Sequence, residues 1–325
     1  MKFSELKKSL LTGAKPIYLI EGEDAFLRNK SLELIKNAFL TFPEFNYDVF
    51  DAELIETEPD AFYASISAYP FMADKRIVLV NNFYPTANEL KGKMLKSVFT
   101  EDNETTIFII VNEKSSANLK KLEKVTIVDC SKLDSLTAGK WVKQECLKEG
   151  VVISVDACDT LLEYCRMDMT KISTETYKLI AFAGKGGEIT IDSVEALTHK
   201  DTDYQVYELT EKIARGKNNE AMAILTDMLN KNVDKQRVFS AIYYHFRRLF
   251  YSAISVCDNK ELAVSLGAEE WQIKKAREQA RNFPVKRLKQ INDKLCELDG
   301  DFKSGEITLD DALFNSIFNV MIEGI

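Results

Sequence analysis

Five short runs of mostly apolar or β-branched residues within residues 1–130 constrain the fold of this chain more than any other feature. They are rich in β-branched residues, and segments with helical spacing separate them. Uninterrupted apolar runs of this length are typical of strands buried on both faces of a parallel sheet, with the intervening helices as crossovers. The runs are "IYLIEG" (17–22), "NYDVFDA" (46–52), "RIVLVNNF" (76–83), "TTIFIIVNE" (105–113) and "VTIVDC" (125–130). The sequence therefore predicts an N-terminal α/β domain.

The placement of proline indicates that helices follow this domain. Five of the six prolines lie before residue 86, and only Pro284 lies in the last 240 residues. Because proline interrupts helices, this distribution favours long helices in the remainder of the chain. We predict an α/β domain at 1–138, an all-helical chain after about residue 139, and a division of that helical part into a small domain at 139–203 and a larger one at 204–325.

The stretch "YLIEGEDAFLRNKS" (18–31) stands where a phosphate-binding loop would follow the first strand. Such a P-loop reads G-x-x-x-x-G-K-[ST], because the glycines let backbone N–H groups approach the phosphates, the lysine neutralises them and the hydroxyl holds magnesium. Counted from Gly22, the second glycine, the lysine and the hydroxyl are replaced by Leu27, Arg28 and Asn29. Three of the four fixed positions therefore fail.

The carboxylate that would complete such a site is missing as well. A Walker-B acid should follow an apolar strand, but Asn81 and Asn82 follow "IVLV" (77–80). A frame shifted to use Lys30 and Ser31 makes the loop two residues too long. Three interpretations remain open: Gly22 is only a turn after a strand, the chain is an active triphosphatase with a divergent loop, or a nucleotide-binding fold has lost its chemistry. The loss of both motifs favours the last.

The charge distribution gives little support for free-standing, sequence-specific DNA binding. The net charge of −8 is spread along the chain, with 18 basic against 21 acidic residues in 1–140, 7 against 10 in 141–200, and 18 against 20 in 201–325. None of these segments is basic, whereas proteins that bind DNA on their own concentrate Lys and Arg. The remaining basic stretch, "KKAREQARNFPVKRLK" (274–289), offers Lys274, Lys275, Arg277 and Arg281 as residues that could face DNA. A solvated helix face is the favoured alternative.

Cysteine spacing and hydropathy give no indication of a metal-binding, membrane-spanning or secreted protein. The six cysteines form no C-x-x-C pair, and neither His199 nor His245 has Cys or acidic neighbours at ligand spacing, so no metal site is predicted. The apolar runs are too short for a membrane span, and the first residues, "MKFSELKKSLLTGAK", lack the apolar core of a signal peptide. We expect a cytoplasmic protein.

Five motifs, in order along the chain, resemble the delta-subunit family of the bacterial DNA polymerase III clamp loader. They are "YLIEGEDAFLRNKS", "PFMADKRIVLV", "LIAFAGKGGEITIDSVEAL", "HFRRLF" and "DGDFKSGEI". The resemblance implies an N-terminal AAA+ domain with a RecA-like parallel sheet, a small helical lid domain and an all-α collar domain that mediates oligomerisation. It also implies a degenerate nucleotide site without a cofactor, in a subunit that is not itself an ATPase.

The resemblance further implies the partners and the contact residues. The partners would be the ring-shaped sliding clamp (the beta subunit), the ATPase loader subunits and delta prime in a hetero-pentamer, and primed DNA reached through that complex. In this family an apolar pair before the third strand contacts the clamp and opens it, and Phe71 and Met72 take that place between Pro70 and Ala73. The family pair is more often Leu and Phe. Without the resemblance, ordinary core packing would be the favoured interpretation of this pair.

Overall fold

The computed structural model describes residues 1–231, 233–268 and 270–322, with the side chain of residue 322 outside the description. This part of the chain forms two compact units. The first contains residues 1–162 and 167–190, and the second contains residues 163–166 and the chain from 191 onward.

The first unit is built on a five-stranded parallel sheet in the order β2-β3-β4-β1-β5. Each strand coincides with one of the five apolar runs, which confirms the predicted α/β domain. Residues of the central strands are almost entirely buried because helices cover both faces. The strands are β1 (Ile17–Glu21), β2 (Tyr47–Asp51), β3 (Arg76–Asn81), β4 (Thr106–Asn112) and β5 (Val125–Asp129).

Side chains that alternate along the strands enter two separate cores. Ile17 and Leu19 of β1 join the core that contains Phe62 and Phe99, whereas Tyr18 of the same strand joins the core on the opposite face. The helices of this unit are α1 (Phe3–Leu10), α2 (Ala25–Phe39), α3 (Pro43–Asn46), α4 (Ala52–Thr57), α5 (Pro59–Ser67), α6 (Lys93–Thr100), α7 (Ser135–Lys148), α8 (Val155–Tyr164), whose end reaches the second unit, and α9 (Met169–Ala183). The result is a three-layer α/β arrangement.

A second, very short parallel pair corrects one expectation. Strands β6 (Val152–Ile153) and β7 (Glu188–Ile189) pair with each other, so the prediction of an all-helical chain after residue 139 is wrong here. Two residues are too few to produce a strand pattern in the sequence. Gly184 ends α9 with a positive φ of 67°, and the glycine-rich turn that follows allows β7 to lie beside β6.

The second unit is all-helical beyond residue 190 within the described residues, as predicted. Its core forms around α13, where Phe239, Ile242 and Phe246 are fully buried. The side chains of Asp201, Asp234 and Asp258 accept hydrogen bonds from backbone N–H groups at the helix starts. The helices are α10 (Ile191–Leu197), α11 (Thr202–Ala214), α12 (Asn218–Asn230), α13 (Lys235–Ile254), α14 (Asn259–Leu266), α15 (Glu270–Ala280), α16 (Val285–Ser304) and α17 (Leu309–Ile322).

The predicted division into three domains stays a prediction. Residues 139–203 do not separate as a unit of their own, since their larger part belongs to the first unit and the remainder to the second. Among the helices of the described residues, none combines the length and the apolar character that crossing a membrane requires.

Candidate functional site

The loop between α5 and β3 carries the predicted clamp-contacting pair at the surface. Phe71 is 52% exposed and Met72 is 77% exposed, while Pro70 and Ala73 are partly exposed. The interpretation of Phe71 and Met72 as ordinary core is therefore wrong. The main chain at Met72 has a φ of 49°, in the left-handed region that residues other than glycine rarely adopt. An exposed apolar side chain in a strained conformation indicates that the surrounding structure holds this loop in place.

Asn46, the last residue of α3, is the side chain that holds the loop. Its Oδ1 accepts a hydrogen bond of 2.7 Å from the backbone N–H of Phe71, and its Nδ2 donates one of 3.0 Å to the carbonyl oxygen of Phe71. The Nδ2 also donates a bond of 2.9 Å to the carbonyl oxygen of Thr41. Asn46 is fully buried. The sequence analysis missed this residue because its partner lies 25 positions away and no local pattern connects the two.

The neighbouring Phe45 supports the loop from the same turn. The ring centroids of Phe45 and Phe71 are 4.8 Å apart with a tilt of 48°. Phe45 is itself 57% exposed, so one side of this ring pair contacts solvent. Two exposed aromatic rings that pack together form an apolar surface larger than the predicted pair alone.

At the degenerate phosphate loop, the backbone N–H groups of Gly22 and Asp24 donate hydrogen bonds to carbonyl oxygens of the chain itself. Gly22 donates to the carbonyl oxygen of Asn112 at 3.3 Å, and Asp24 donates to that of Cys130 at 3.1 Å. Gly22 has a φ of 143°, and a Cβ there would lie 2.2 Å from the carbonyl carbon of Cys130. A phosphate-binding loop needs these N–H groups to point at the ligand. Here the two bonds hold the loop against the carboxyl ends of β4 and β5.

The start of α2 is occupied by a carboxylate of the chain itself. The side chain of Asp24 accepts a hydrogen bond of 3.0 Å from the backbone N–H of Leu27, and burial raises the pKa of this carboxyl. The N-terminus of a helix attracts anions, and in a P-loop that anion is the phosphate. In this chain Asp24 takes the corresponding position.

The three residues that replace the glycine, lysine and hydroxyl of the P-loop differ in burial and in their contacts. Leu27 is fully buried in the core beneath the sheet, and Asn29 is exposed. Arg28 is only 8% exposed; one of its nitrogens donates a hydrogen bond to the carbonyl oxygen of Gly22, and another lies 3.6 Å from the carboxylate of Glu113. The cation that replaces the P-loop lysine is therefore bound within the loop.

The shifted frame also lacks the required geometry. The Nζ of Lys30 lies 2.8 Å from the carboxylate of Glu33, one helical turn further on. Ser31 is fully buried, and its hydroxyl contacts the sulfur of Cys130 at 3.5 Å. A hydroxyl buried in this way is not available to a magnesium ion. This geometry weighs against an active triphosphatase that uses Lys30 and Ser31.

The asparagines at the predicted Walker-B position take part in local hydrogen bonds. The Nδ2 of Asn81 donates to the carboxylate of Asp51 at 3.3 Å. Asn82 has a φ of 54°, and its backbone N–H donates to the carbonyl oxygen of Val111 at 2.9 Å. Within the described residues, no group of three His, Cys, Asp or Glu side chains is arranged to hold a metal ion.

Two buried polar residues at the carboxyl end of the sheet also have hydrogen-bond partners within the chain. Glu21 is 4% exposed, pairs with the Nζ of Lys120 and accepts a hydrogen bond of 3.0 Å from the backbone N–H of Ser116. The fully buried Asn112 accepts a bond of 2.9 Å from the N–H of Phe83 and donates one of 2.8 Å to its carbonyl oxygen. Both residues stabilise loops at this edge.

The predicted DNA-facing residues divide into two groups. The Nζ of Lys275 lies 3.2 Å from the carboxylate of Glu163, and Arg277 donates a hydrogen bond to the carbonyl oxygen of Cys257. Lys274 and Arg281 are exposed. Contact with DNA stays a prediction. Of the four residues, Lys274 and Arg281 are the more accessible to DNA because their side chains are exposed.

Large exposed apolar side chains also lie on the second unit. On α13, Phe246 is buried whereas Tyr244 is 49% exposed. On α17, Phe314 and Phe318 are 51% and 62% exposed and lie one helical turn apart. Such side chains are the expected composition of a surface that packs against another subunit.

Comparison with known proteins identifies relatives of this chain. The family model for the DNA polymerase III delta subunit matches residues 18–131, and the model for the C-terminal domain of the same subunit matches residues 203–318. The DNA polymerase III subunit delta of Bacillus subtilis (strain 168) is 26% identical over 318 residues, which cover 92% of this chain and 91% of the relative. The solved structure of the Bacillus subtilis DNA clamp loader delta protein has a similar fold, with a TM-score of 0.75, 23% identity, and coverage of 98% of this chain and 99% of that one.

Proposed function

This chain belongs to the family of DNA polymerase III delta subunits, and from that premise we propose that it binds the sliding clamp through Phe71 and Met72 and opens the ring for loading onto primed DNA. The observation that carries the proposal is the exposure of these two apolar side chains on a loop whose main chain is hydrogen-bonded to the buried Asn46. Loops on a rigid scaffold are common binding elements.

The pair is large enough to dominate an interface. Moving an apolar side chain of this size from water into a pocket contributes roughly 1.5–3 kcal/mol. Buried apolar anchors near the centre of an interface commonly carry most of its binding energy. Methionine is flexible and aromatic rings are rigid, so Met72 can adapt to a pocket while Phe71 fixes the position.

Opening of the ring requires more than binding. A ligand shifts a conformational equilibrium only by the difference between its affinities for the two states. The subunit would therefore bind an open or strained clamp more tightly than a closed one. Binding and opening should depend on the same two side chains.

The chain would act without hydrolysing ATP. The N–H groups of Gly22 and Asp24 bind carbonyl oxygens, the Asp24 carboxylate occupies the helix start, and Arg28 binds the carbonyl of Gly22. ATP hydrolysis would come from the partner ATPase subunits of a hetero-pentamer that also contains delta prime. The exposed aromatic residues on α13 and α17 support a role of the helical unit in that assembly, and primed DNA would be met through the assembled loader in the cytoplasm.

The test is a double variant of the full chain, Phe71→Ala with Met72→Ala. Because both side chains are exposed, the melting temperature should stay within a few degrees of the unaltered protein. Binding to the purified clamp should fall by at least about a hundredfold, and unloading of the clamp from circular DNA should fail with it. A matched control replaces two apolar side chains of the same unit, Leu136 and Phe182, which are 69% and 66% exposed. Full-strength binding by the folded double variant would show that the clamp-binding site lies elsewhere.

A further inference from the structure

The clamp-contacting loop lies beside the turn that precedes β2. Strands β2 and β3 are parallel neighbours, with Tyr47 opposite Ile77. The segments that lead into these strands therefore meet at the same end of the sheet, where the strands begin. Asn46 immediately precedes β2, and the loop with Phe71 precedes β3. This adjacency allows one side chain from the turn to reach the main chain of the loop.

The amide of Asn46 binds Phe71 as a neighbouring strand would. It accepts from the N–H and donates to the carbonyl oxygen of the same residue, at 2.7 Å and 3.0 Å. The second amide hydrogen is directed at the carbonyl oxygen of Thr41, at 2.9 Å. Both hydrogens of the amide group therefore have acceptors, which fixes its orientation in a buried place.

These bonds hold the main chain of Phe71 while its side chain remains available. The Phe45 ring lies 4.8 Å from the Phe71 ring, centroid to centroid, and limits its rotation. The following residue, Met72, is kept at a φ of 49°. A left-handed residue with a long side chain persists only where its surroundings impose that conformation.

We propose that Asn46 is a positioning residue for clamp binding, which fixes the main chain of Phe71 so that Phe71 and Met72 are presented in one geometry. This inference rests on the proposed function, because it concerns the same pair. Without the anchor, the loop would have to be ordered at the moment of binding, and that ordering reduces affinity. Asn46 itself is buried, so it would act without touching the clamp.

Asn112 provides a matched control for a purely structural role. It is also a fully buried asparagine of the first unit, and its amide makes the same pair of hydrogen bonds, to the N–H and carbonyl oxygen of Phe83. Replacing either asparagine with alanine removes the same kind of contacts and leaves similar unpaired backbone groups. Of these two asparagines, Asn46 is the one whose amide contacts the main chain of the clamp-contacting loop.

The experiment compares Asn46→Ala and Asn112→Ala in the full chain, with the melting temperature and the affinity for the purified sliding clamp as readouts. Both variants should melt at lower temperature. Asn46→Ala should bind the clamp about tenfold or more weakly, whereas the folded Asn112→Ala protein should bind as tightly as the unaltered chain. Equal losses of affinity in the two variants would overturn the proposal, as would unchanged affinity of Asn46→Ala.

A measurement on the unaltered chain keeps the proposal testable if Asn46→Ala does not fold. Hydrogen exchange should show the N–H of Phe71 protected, because it donates to a buried oxygen, although its side chain is exposed. Exchange of this N–H at the rate of an unstructured amide would overturn the proposal. Failure of the Phe71 and Met72 double variant to lose clamp binding would instead overturn the proposed function, so the two failures are distinguishable.

Discussion

The guanidinium of Arg28 donates a hydrogen bond to the carbonyl oxygen of Gly22, so the cation at the P-loop lysine position binds the loop rather than a phosphate. The carboxylate of Asp24 provides the negative charge at the start of α2. Together the two side chains supply the opposite charges that a lysine and a bound phosphate supply in an ATPase. The loop can therefore keep its shape without a nucleotide.

The first prediction is that reverting the loop residues does not restore nucleotide binding. Arg28→Lys combined with Asn29→Ser restores the lysine and hydroxyl of the motif. Binding of a fluorescent ATP analogue should nevertheless stay undetectable, because the N–H groups of Gly22 and Asp24 remain bonded to carbonyl oxygens. The same result is expected for the unaltered chain.

The opposite result has a clear signature. Magnesium-dependent ATP hydrolysis by the unaltered chain, lost on Lys30→Ala, would show that the shifted frame is active. A structural control for that experiment is Glu33→Ala, which removes the partner of the Lys30 ammonium without changing the frame.

The second prediction concerns the stability that Arg28 provides. Arg28→Met keeps much of the buried side-chain volume but removes the donor to the carbonyl oxygen of Gly22. A hydrogen bond made by a charged group contributes about 1.5–3 kcal/mol, and because this bond is partly buried the free energy of unfolding should fall by up to that amount. Urea denaturation measures it. The neighbouring exposed Asn29→Ala should change the free energy by no more than about 0.5 kcal/mol, and an equal effect of both variants would contradict the structural role.

The sheet could be predicted from sequence because its physical cause is local. A parallel strand covered on both faces must be apolar at nearly every position, and β1, β3 and β4 each show that pattern within a few residues. The β6 and β7 pair could not be predicted in the same way. Each strand has two residues, and the pairing is set by the glycine-rich turn and by packing rather than by composition.

The candidate site was only partly predictable. Phe71 and Met72 were predicted through the resemblance, since core packing would otherwise be the favoured interpretation of an apolar pair before a strand. Asn46 was not predicted, because its hydrogen bonds depend on the adjacency of two segments that are distant in sequence. Hydrogen bonds of this kind follow from tertiary structure, and single-sequence patterns do not report them.

The third prediction concerns acid sensitivity of the helical unit. Burial lowers the pKa of His245 to about 3, aided by the positive charge of Arg248, and the Nε2 atom lies 2.9 Å from the Oε1 of Gln279. The pKa of histidine in the unfolded chain is about 6.5, so the unfolded state takes up this proton first. The stability from neutral His245 is complete above pH about 6.5 and is lost as the pH falls towards 3.

His245→Gln removes this titration while retaining a neutral polar side chain. Between pH 7 and pH 4.5, the free energy of unfolding of the unaltered chain should fall by about 2–3 kcal/mol more than that of the variant. The comparison of the two proteins separates His245 from the carboxylates that titrate over the same range. Parallel pH dependence in urea denaturation would show that His245 is not kept neutral by burial.

The fourth prediction assigns subunit contacts to α17. Phe314 and Phe318 are exposed on one face of the helix, whereas Leu313 and Ile317 are buried in the core. Phe314→Ala combined with Phe318→Ala should therefore leave the fold intact and weaken co-elution with the ATPase loader subunits. Clamp binding should be unchanged, because Phe71 and Met72 belong to the other unit.

A truncation provides the complementary test, and the structure determines where it should end. Trp141 of α7 packs edge-on against Phe26 of α2 with centroids 5.4 Å apart, and Tyr177 of α9 packs against Trp141 at 6.5 Å. A fragment ending at residue 138 would expose Phe26 and lose this packing, so a loss of clamp binding there would be ambiguous. A fragment of residues 1–190 retains all three rings. It should bind the clamp and fail to co-elute with the ATPase subunits, and co-elution equal to that of the full chain would show that assembly does not depend on the helical unit.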